Sequence, residues 1–387
     1  LACDIWRGWA SIYKLVFEVY VRYVNTGKKL QATTMNVRKK VVYRTLFYLC
    51  TAYLICRIIA SYLIWGRYGS DFLSQIVIFS QDPNSSKDRQ ILLGNQADIS
   101  QSSPAINPHP YKFLINEPNK CQNEDGSSKL VFLLVLVATI HKNVGHRKTI
   151  RETWGSPGEI NGNNIITLFL LAKPSKGNTE YQRIVEEESA SYHDIIMSDF
   201  QDSYKNLTLK TIMGMKWVSQ FCPHANYVMK TDDDMIVIYE NLFRYLSSTS
   251  TPRNNFVSCI VIRAKPNRIV GHRWHVPKSI YPGEWYPPFC SGAGYVMSGD
   301  VARNVYTISL HTPFLYLEDV YMGLCLFQLG VYPSAHRQFH NYRVEYSTCG
   351  YKKLFTTHYS IAKNSVRYNV WSQMERDKQI HCYFNFW

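Results

Sequence analysis

Three consecutive aspartates, Asp232, Asp233 and Asp234, stand between an apolar run at 227–231 and a second at 235–238. A short run rich in Val, Met and Tyr predicts a buried strand with the carboxylates at its C-terminal end, where open α/β sheets place their ligands. Carboxylates crowded there repel one another unless a cation joins them, and Asp oxygens suit Mg²⁺ or Mn²⁺ shared with a substrate's phosphates. The plainer reading is a turn or a helix N-cap, both of which favour Asp. A second acidic pair, Glu318 and Asp319, falls at the first turn of a predicted helix on which Val320, Leu324 and Phe327 have amphipathic spacing. Carboxylates in that position commonly complement the helix dipole, or one of them is a general base that takes a proton from an attacking hydroxyl.

Two further stretches carry candidate groups. In HRKTIRETWG, residues 146–155, helical spacing sets Arg147 and Arg151 on one face. Two guanidinium groups there could meet a diphosphate or a uracil carbonyl; the plain alternative is a solvated basic face with Trp154 packed in the core. In YPPFCSGAGY, residues 286–295, aromatic residues abut Gly292 and Gly294, which suits a backbone passing close under a ligand. The absence of a third glycine and of a strand-to-helix context excludes a Rossmann dinucleotide site. The helix predicted over Asn206–Cys222 carries Met and Trp residues that read as core.

These groups need a scaffold. Continuous apolar runs at Leu130–Ile140 and Ile165–Ala172, with a shorter one at Asp194–Ser198, are each followed by helical texture. That alternation predicts a mostly parallel sheet covered on both faces. The 387 residues carry 43 Lys and Arg against 29 Asp and Glu, a formal charge of +14. Residues 1–69 hold eleven basic and two acidic residues, so +9 of the excess precedes the α/β region, which argues against a nucleic-acid binder. Thr45–Gly66 has the length of a membrane span, interrupted by Arg57, and the basic residues before it predict a cytoplasmic N-terminus. The resulting organisation is a cytoplasmic segment 1–44, a signal anchor 45–66, a polar stem 67–110 and a lumenal body 111–387. Seven cysteines after the span, without CxxC spacing, predict disulfides with one thiol left over. Sequons at Asn84 and Asn206 are candidate glycosylation sites in that compartment.

In order, these motifs resemble the inverting β1,3-galactosyltransferases of the Golgi, glycosyltransferase family 31. The likeness runs from about Tyr111 to Cys382 through RKTIRETWG, DSYKNLTLKT, YVMKTDDDM, YPPFCSGAGYVMSGD and LEDVYMGLCL. It implies a GT-A nucleotide-sugar transferase fold, a UDP-galactose donor, a glycan acceptor ending in N-acetylglucosamine, Mn²⁺, and a single-pass Golgi membrane location. UDP-N-acetylglucosamine or UDP-N-acetylgalactosamine is the alternative donor, and a sugar-binding protein without turnover the alternative function. By position, the resemblance makes Asp319 the catalytic base and Asp232, Asp234 and His358 the metal site. Arg147, Arg151, Trp154, Lys230, Asp232 and Asp233 fall on the donor side, and Trp285, Tyr286, Gly292, Gly294 and Glu318 on the acceptor side.

Overall fold

The computed structural model describes residues 104–156, 158–174, 179–359 and 363–382. The predicted span at 45–66, most of the stem and Asn84 lie outside these residues. Among the described residues no helix is long and apolar enough to cross a membrane.

In chain order the elements are β1 (Phe113–Ile115), β2 (Val131–Ala138), α1 (Val144–Glu152), β3 (Gly158–Ile160), β4 (Asn163–Lys173), α2 (Thr179–Tyr192) and β5 (Ile195–Gln201). There follow α3 (Leu207–Phe221), β6 (Tyr227–Asp232), β7 (Met235–Val237), α4 (Tyr239–Leu246), β8 (Val257–Ile262), β9 (Phe289–Ser298) and α5 (Gly299–Ser309). The chain continues through α6 (Glu318–Gln328), β10 (Ser334–Ala335), α7 (Thr348–Tyr351), β11 (Thr356–His358) and α8 (Asn364–Arg376).

One nine-stranded sheet runs β1-β5-β4-β2-β6-β9-β8-β10, with β3 paired to β4. Its centre, β5-β4-β2-β6, is parallel, while β9 runs antiparallel to both β6 and β8. Every residue of β2 is buried because both faces are covered. Leu134 and Leu136 join a core with α3, α5 and α6, while Leu133, Val135 and Val137 join a second core with α1, α4 and α8. The period-2 alternation of a strand thus feeds two cores with one apolar run.

This arrangement delivers the predicted α/β class, and the predicted strands and helices appear with shifts of one to three residues at their ends. The helix expected over 206–222 is α3, with Asn206 and Cys222 as its caps. Disulfides join Cys121 to Cys222, Cys259 to Cys290 and Cys349 to Cys382, and among the described residues Cys325 is the buried free thiol. The first ties the segment before β2 to the C-terminus of α3, and the second crosslinks β8 to β9, on which the acceptor-side glycines lie.

Candidate active site

Strand β6 pairs in parallel with β2, with Ala138 opposite Asp232, so the aspartate run begins where the central strands end. The three carboxylates then take different surroundings. Asp233 is buried and accepts from the Thr139 hydroxyl, from Asn143 Nδ2 at 2.9 Å and from His146 at 3.3 Å. Burial alone would raise its pKa, but these donors outweigh it and hold the carboxyl below the usual range. Asp233, expected on the donor side, fastens the loop after β2 through these three donors and also lines the cleft at the strand ends.

Asp234 turns the other way. The short pair of β7 and β11 sets His358 opposite Met235, and His358 Nε2 lies 3.1 Å from Asp234 Oδ2. Tyr359 N–H donates to the Asp234 carbonyl at 2.7 Å. The Asp234 carboxylate, chiefly by hydrogen bonding, holds the His358 pKa above its ordinary value. The other carboxylate oxygen, Oδ1, is buried without a hydrogen-bond partner. An orphaned carboxylate oxygen beside an imidazole is a donor set that fits a divalent cation. Among the described residues no three His, Cys, Asp or Glu side chains close into a cage of their own. Around this end lies a cleft of about 170 Å³ lined by Ala138, Thr139, Ile140, Asn143 and the three aspartates.

The group that braces this turn carries no motif of its own. Arg367 on α8 is fully buried; its guanidinium donates to the Asp233 carbonyl at 2.9 Å and to the Tyr359 carbonyl at 3.4 Å. It staples the aspartate turn to the residue after His358. A lone Arg within an ordinary helical stretch carries no spacing that betrays such a role.

Lys230 links the two acidic clusters. Its ammonium is 2.8 Å from Asp232 Oδ1, 2.6 Å from the Gly292 carbonyl and 3.5 Å from Glu318 Oε2. Burial opposes its charge, but Asp232 and Glu318 outweigh burial and raise its pKa above the lysine norm. Lys230 thus neutralises carboxylates of both clusters. Glu318 is buried, accepting on Oε1 from Tyr295 at 2.7 Å and from Thr211 at 3.0 Å. Its carboxylate is committed inside the protein, which corrects its expected contact with an acceptor.

Asp319, the next residue, is partly buried at the start of α6, where Oδ1 accepts the Val320 N–H at 2.8 Å. Burial, reinforced by the Glu318 charge, pushes its pKa up to about 6. A carboxylate poised near the working pH is suited to take a hydroxyl proton. Gly292 passes directly beneath: a Cβ there would stand 3.1 Å from Glu318 Oε2, 3.6 Å from Asp319 Cβ and 4.0 Å from Lys230 Nζ. At Gly294 a Cβ would meet only ordinary contacts, the nearest at 3.5 Å, so its close approach is not required in the same way.

The basic helix motif is placed differently from the expectation. Arg147 is wholly buried, pairing with Glu188 at 2.6 Å and donating to the carbonyls of Ile140 and His141. Arg151 pairs with Asp194 at 2.7 Å and Glu188 at 3.4 Å. Trp154 is core, its indole N–H donating to the Met235 carbonyl at 3.1 Å. Arg147 and Trp154 support the loop after β2 and the aspartate turn from behind, whereas Arg151 joins α1 to Glu188 and Asp194. A larger cavity, about 710 Å³, lies beside Arg151, Lys148 and Asp194, and holds none of the clustered site carboxylates. On the acceptor side, Trp285 is half-buried under the Lys265 ammonium, 4.7 Å from its ring centre. Tyr286 is buried against Tyr281 and Phe289, its hydroxyl unpartnered. Asn206 is half-buried, and its side-chain amide donates to the Gln201 carbonyl at 2.7 Å, which leaves one amide hydrogen uncommitted.

The galactosyltransferase family pattern matches residues 145–337, a stretch holding the aspartate turn, Gly292 and Asp319. Human beta-1,3-galactosyltransferase 1 is 45% identical over 278 residues, covering 72% of this chain and 82% of that protein. The chain belongs to the galactosyltransferase family. Mouse beta-1,3-galactosyltransferase 2 is 42% identical over 281 residues, covering 71% of this chain and 65% of that protein. Among solved structures, galactosyltransferase LgtC in complex with donor and acceptor sugar analogs aligns with 64% of this chain and 94% of its own. Its TM-score is 0.32 at 12% identity, too low to identify the fold, which rests on the strand order itself. Membership makes this galactosyltransferase-family protein a hexosyltransferase that acts on a nucleotide-sugar donor and a glycan acceptor.

Proposed function

We propose that the protein moves galactose from UDP-galactose to the 3-hydroxyl of an acceptor sugar, with N-acetylglucosamine-ended glycans as the acceptor class, by a single inverting displacement. The observation that carries this reading is the Lys230 ammonium, set between Asp232 and Glu318, which ties the aspartate turn to the first turn of the helix that carries Asp319. In the reaction the acceptor O3 forms a bond to the anomeric carbon as the bond from that carbon to the UDP oxygen breaks. The electron pair leaves with UDP, and the hydroxyl proton passes to Asp319. Attack opposite UDP converts an α-linked donor into a β-linked product. Asp232, Asp234 and His358 would hold Mn²⁺, which when bound supplies Lewis-acid stabilisation of the leaving diphosphate. Lys230 partly offsets the negative charge of Asp232 and Glu318, and Arg367 bridges the backbone on either side of Asp234 and His358. The three disulfides support a lumenal, oxidising compartment, and with the basic-flanked apolar segment they support a single-pass Golgi protein of the GT-A class.

The test is transfer of UDP-galactose, UDP-N-acetylglucosamine and UDP-N-acetylgalactosamine to acceptors ending in N-acetylglucosamine, galactose or mannose, followed across pH. A base acts only when ionised, so activity is full above the Asp319 pKa of about 6 and is lost as pH falls through it. Well below that value the rate with UDP-galactose should drop about tenfold per pH unit. A rate that stays flat down to about pH 5 would remove Asp319 from the base role. Preference for either N-acetylated donor would overturn the choice of sugar.

A further inference from the structure

Between β8 and β9 the chain makes a long excursion, residues 263–288, and its run HRWHV at 272–276 puts an indole where solvent loops ordinarily carry Asn, Ser or Gly. Trp274 is 55% exposed, yet it is fixed: its indole N–H donates to the Tyr204 hydroxyl at 3.0 Å. Tyr204, 39% exposed just before α3, is steadied in turn by the Arg273 guanidinium, 3.9 Å from its ring centre. Arg268 makes the base of the loop equally rigid, donating to the carbonyls of Val276, Tyr281 and Gly283 at 2.7, 2.9 and 2.7 Å. Scattered exposed rings are ordinary, but two locked in one orientation have already lost the freedom that binding a ligand would otherwise cost.

These rings continue into the site. The Tyr316 hydroxyl lies 3.0 and 3.1 Å from the carbonyls of Arg273 and His275, so it clamps both neighbours of Trp274 to the segment that reaches Asp319 three residues later. Tyr316 is half-buried, and Tyr286 is buried with its hydroxyl unpartnered. Burial, with Tyr204 adding to it, raises the Tyr316 pKa; burial, opposed by Arg268 and reinforced by Tyr316 and Asp319, pushes Tyr286 up to about 12. Tyr286, Tyr316, Tyr204 and Trp274 thus form a row that leads from the base to the surface, its inner rings covered and its outer rings open.

The part of an acceptor glycan behind its reacting sugar has to leave the cleft beside the base. Aromatic rings offer the flat apolar surface that the C–H face of a sugar covers, and the hydroxyls along this row suit its polar edge. The cations nearby are engaged on ring faces, Arg273 on Tyr204 and Lys265 on Trp285, which suits an uncharged ligand better than an anion.

We infer that Trp274, oriented by Tyr204 and Arg273, forms a second acceptor subsite on which the sugars behind the reacting one stack, so that the preferred acceptor is an uncharged oligosaccharide. The inference rests on the reading of Asp319 as the base and of the acceptor as a glycan. It adds chain length as a property the protein selects.

The experiment uses the full-length chain in phosphatidylcholine nanodiscs and three acceptors: methyl β-N-acetylglucosaminide, octyl β-N-acetylglucosaminide, and the methyl glycoside of an uncharged trisaccharide ending in the same sugar. For galactose transfer, kcat/KM with the trisaccharide should exceed that with the methyl monosaccharide by about tenfold, the scale of one well-formed ring contact, with the difference in KM. Trp274→Ala should bring this ratio close to one, and Trp274→Phe, which keeps a ring, should restore most of it. Saturation-transfer NMR with UDP present reads the same subsite without turnover: the inner sugars of the trisaccharide should be contacted by the original protein and released by Trp274→Ala. Absence of transfer from every donor would overturn the proposed reaction, and the NMR contacts would still decide the subsite. A ratio near one in the original protein, a ratio or inner-sugar contacts that survive Trp274→Ala, or a Trp274 effect confined to the octyl glycoside overturns the inference.

Discussion

Asp319→Asn is expected to cut galactose transfer by about 10²–10⁴-fold, the range for loss of a general base, while leaving UDP affinity at its original level. The substitution is nearly isosteric, and an amide oxygen can still accept the Val320 N–H now bonded to Oδ1 at 2.8 Å, so α6 keeps its start. What disappears is the capacity to take a proton. No neighbour replaces it: Glu318 is occupied by Tyr295, Thr211 and Lys230, and Asp232 is bound to the same lysine. The loss should therefore fall on kcat, and the acid limb centred near pH 6 should vanish from whatever rate remains. A folded Asp319→Asn protein that transfers at the original rate would show that the proton goes elsewhere.

Asp234→Ala is expected to produce the opposite division. It removes the oxygen bonded to His358 and the buried oxygen that has no partner, the two features that fit a cation. Calorimetry should find Mn²⁺-dependent UDP binding weakened by at least about 100-fold, since a ligand is lost rather than only its support. The fold should survive, because the aspartate turn is held by backbone groups: Arg367 grips the Asp233 carbonyl and Tyr359 N–H the Asp234 carbonyl. Unchanged Mn²⁺-dependent binding would take Asp234 out of the cation site.

How much of this was legible before the structure depended on the kind of signal. The apolar runs announced β2, β4 and β6 because strands covered on both faces cannot alternate with polar residues, and Asp232 duly ends β6. Glu318 and Asp319 were readable as the first turn of a helix from the spacing after them. Spacing could not say which neighbouring carboxylate faces inward. Asp233 and Glu318 are each one residue from an open group, yet both accept from internal donors drawn from distant segments. Arg147 and Trp154 illustrate the same limit: a motif marks residues that belong to a site's construction without separating contact from support. Arg147 reaches carbonyls of the loop after β2, and Trp154 the strand after the aspartates. Arg367 was invisible because its partners, the carbonyls of Asp233 and Tyr359, are backbone atoms that any sequence possesses.

The most direct measurement of the central claim is a crystal structure of the protein with UDP and Mn²⁺. The account predicts the diphosphate against Asp234 and His358, with the Asp319 carboxylate facing the β-phosphate across a gap that one hexose fills. A nucleotide seated instead in the larger cavity beside Arg151 and Lys148, or a diphosphate turned away from Asp319, would contradict it.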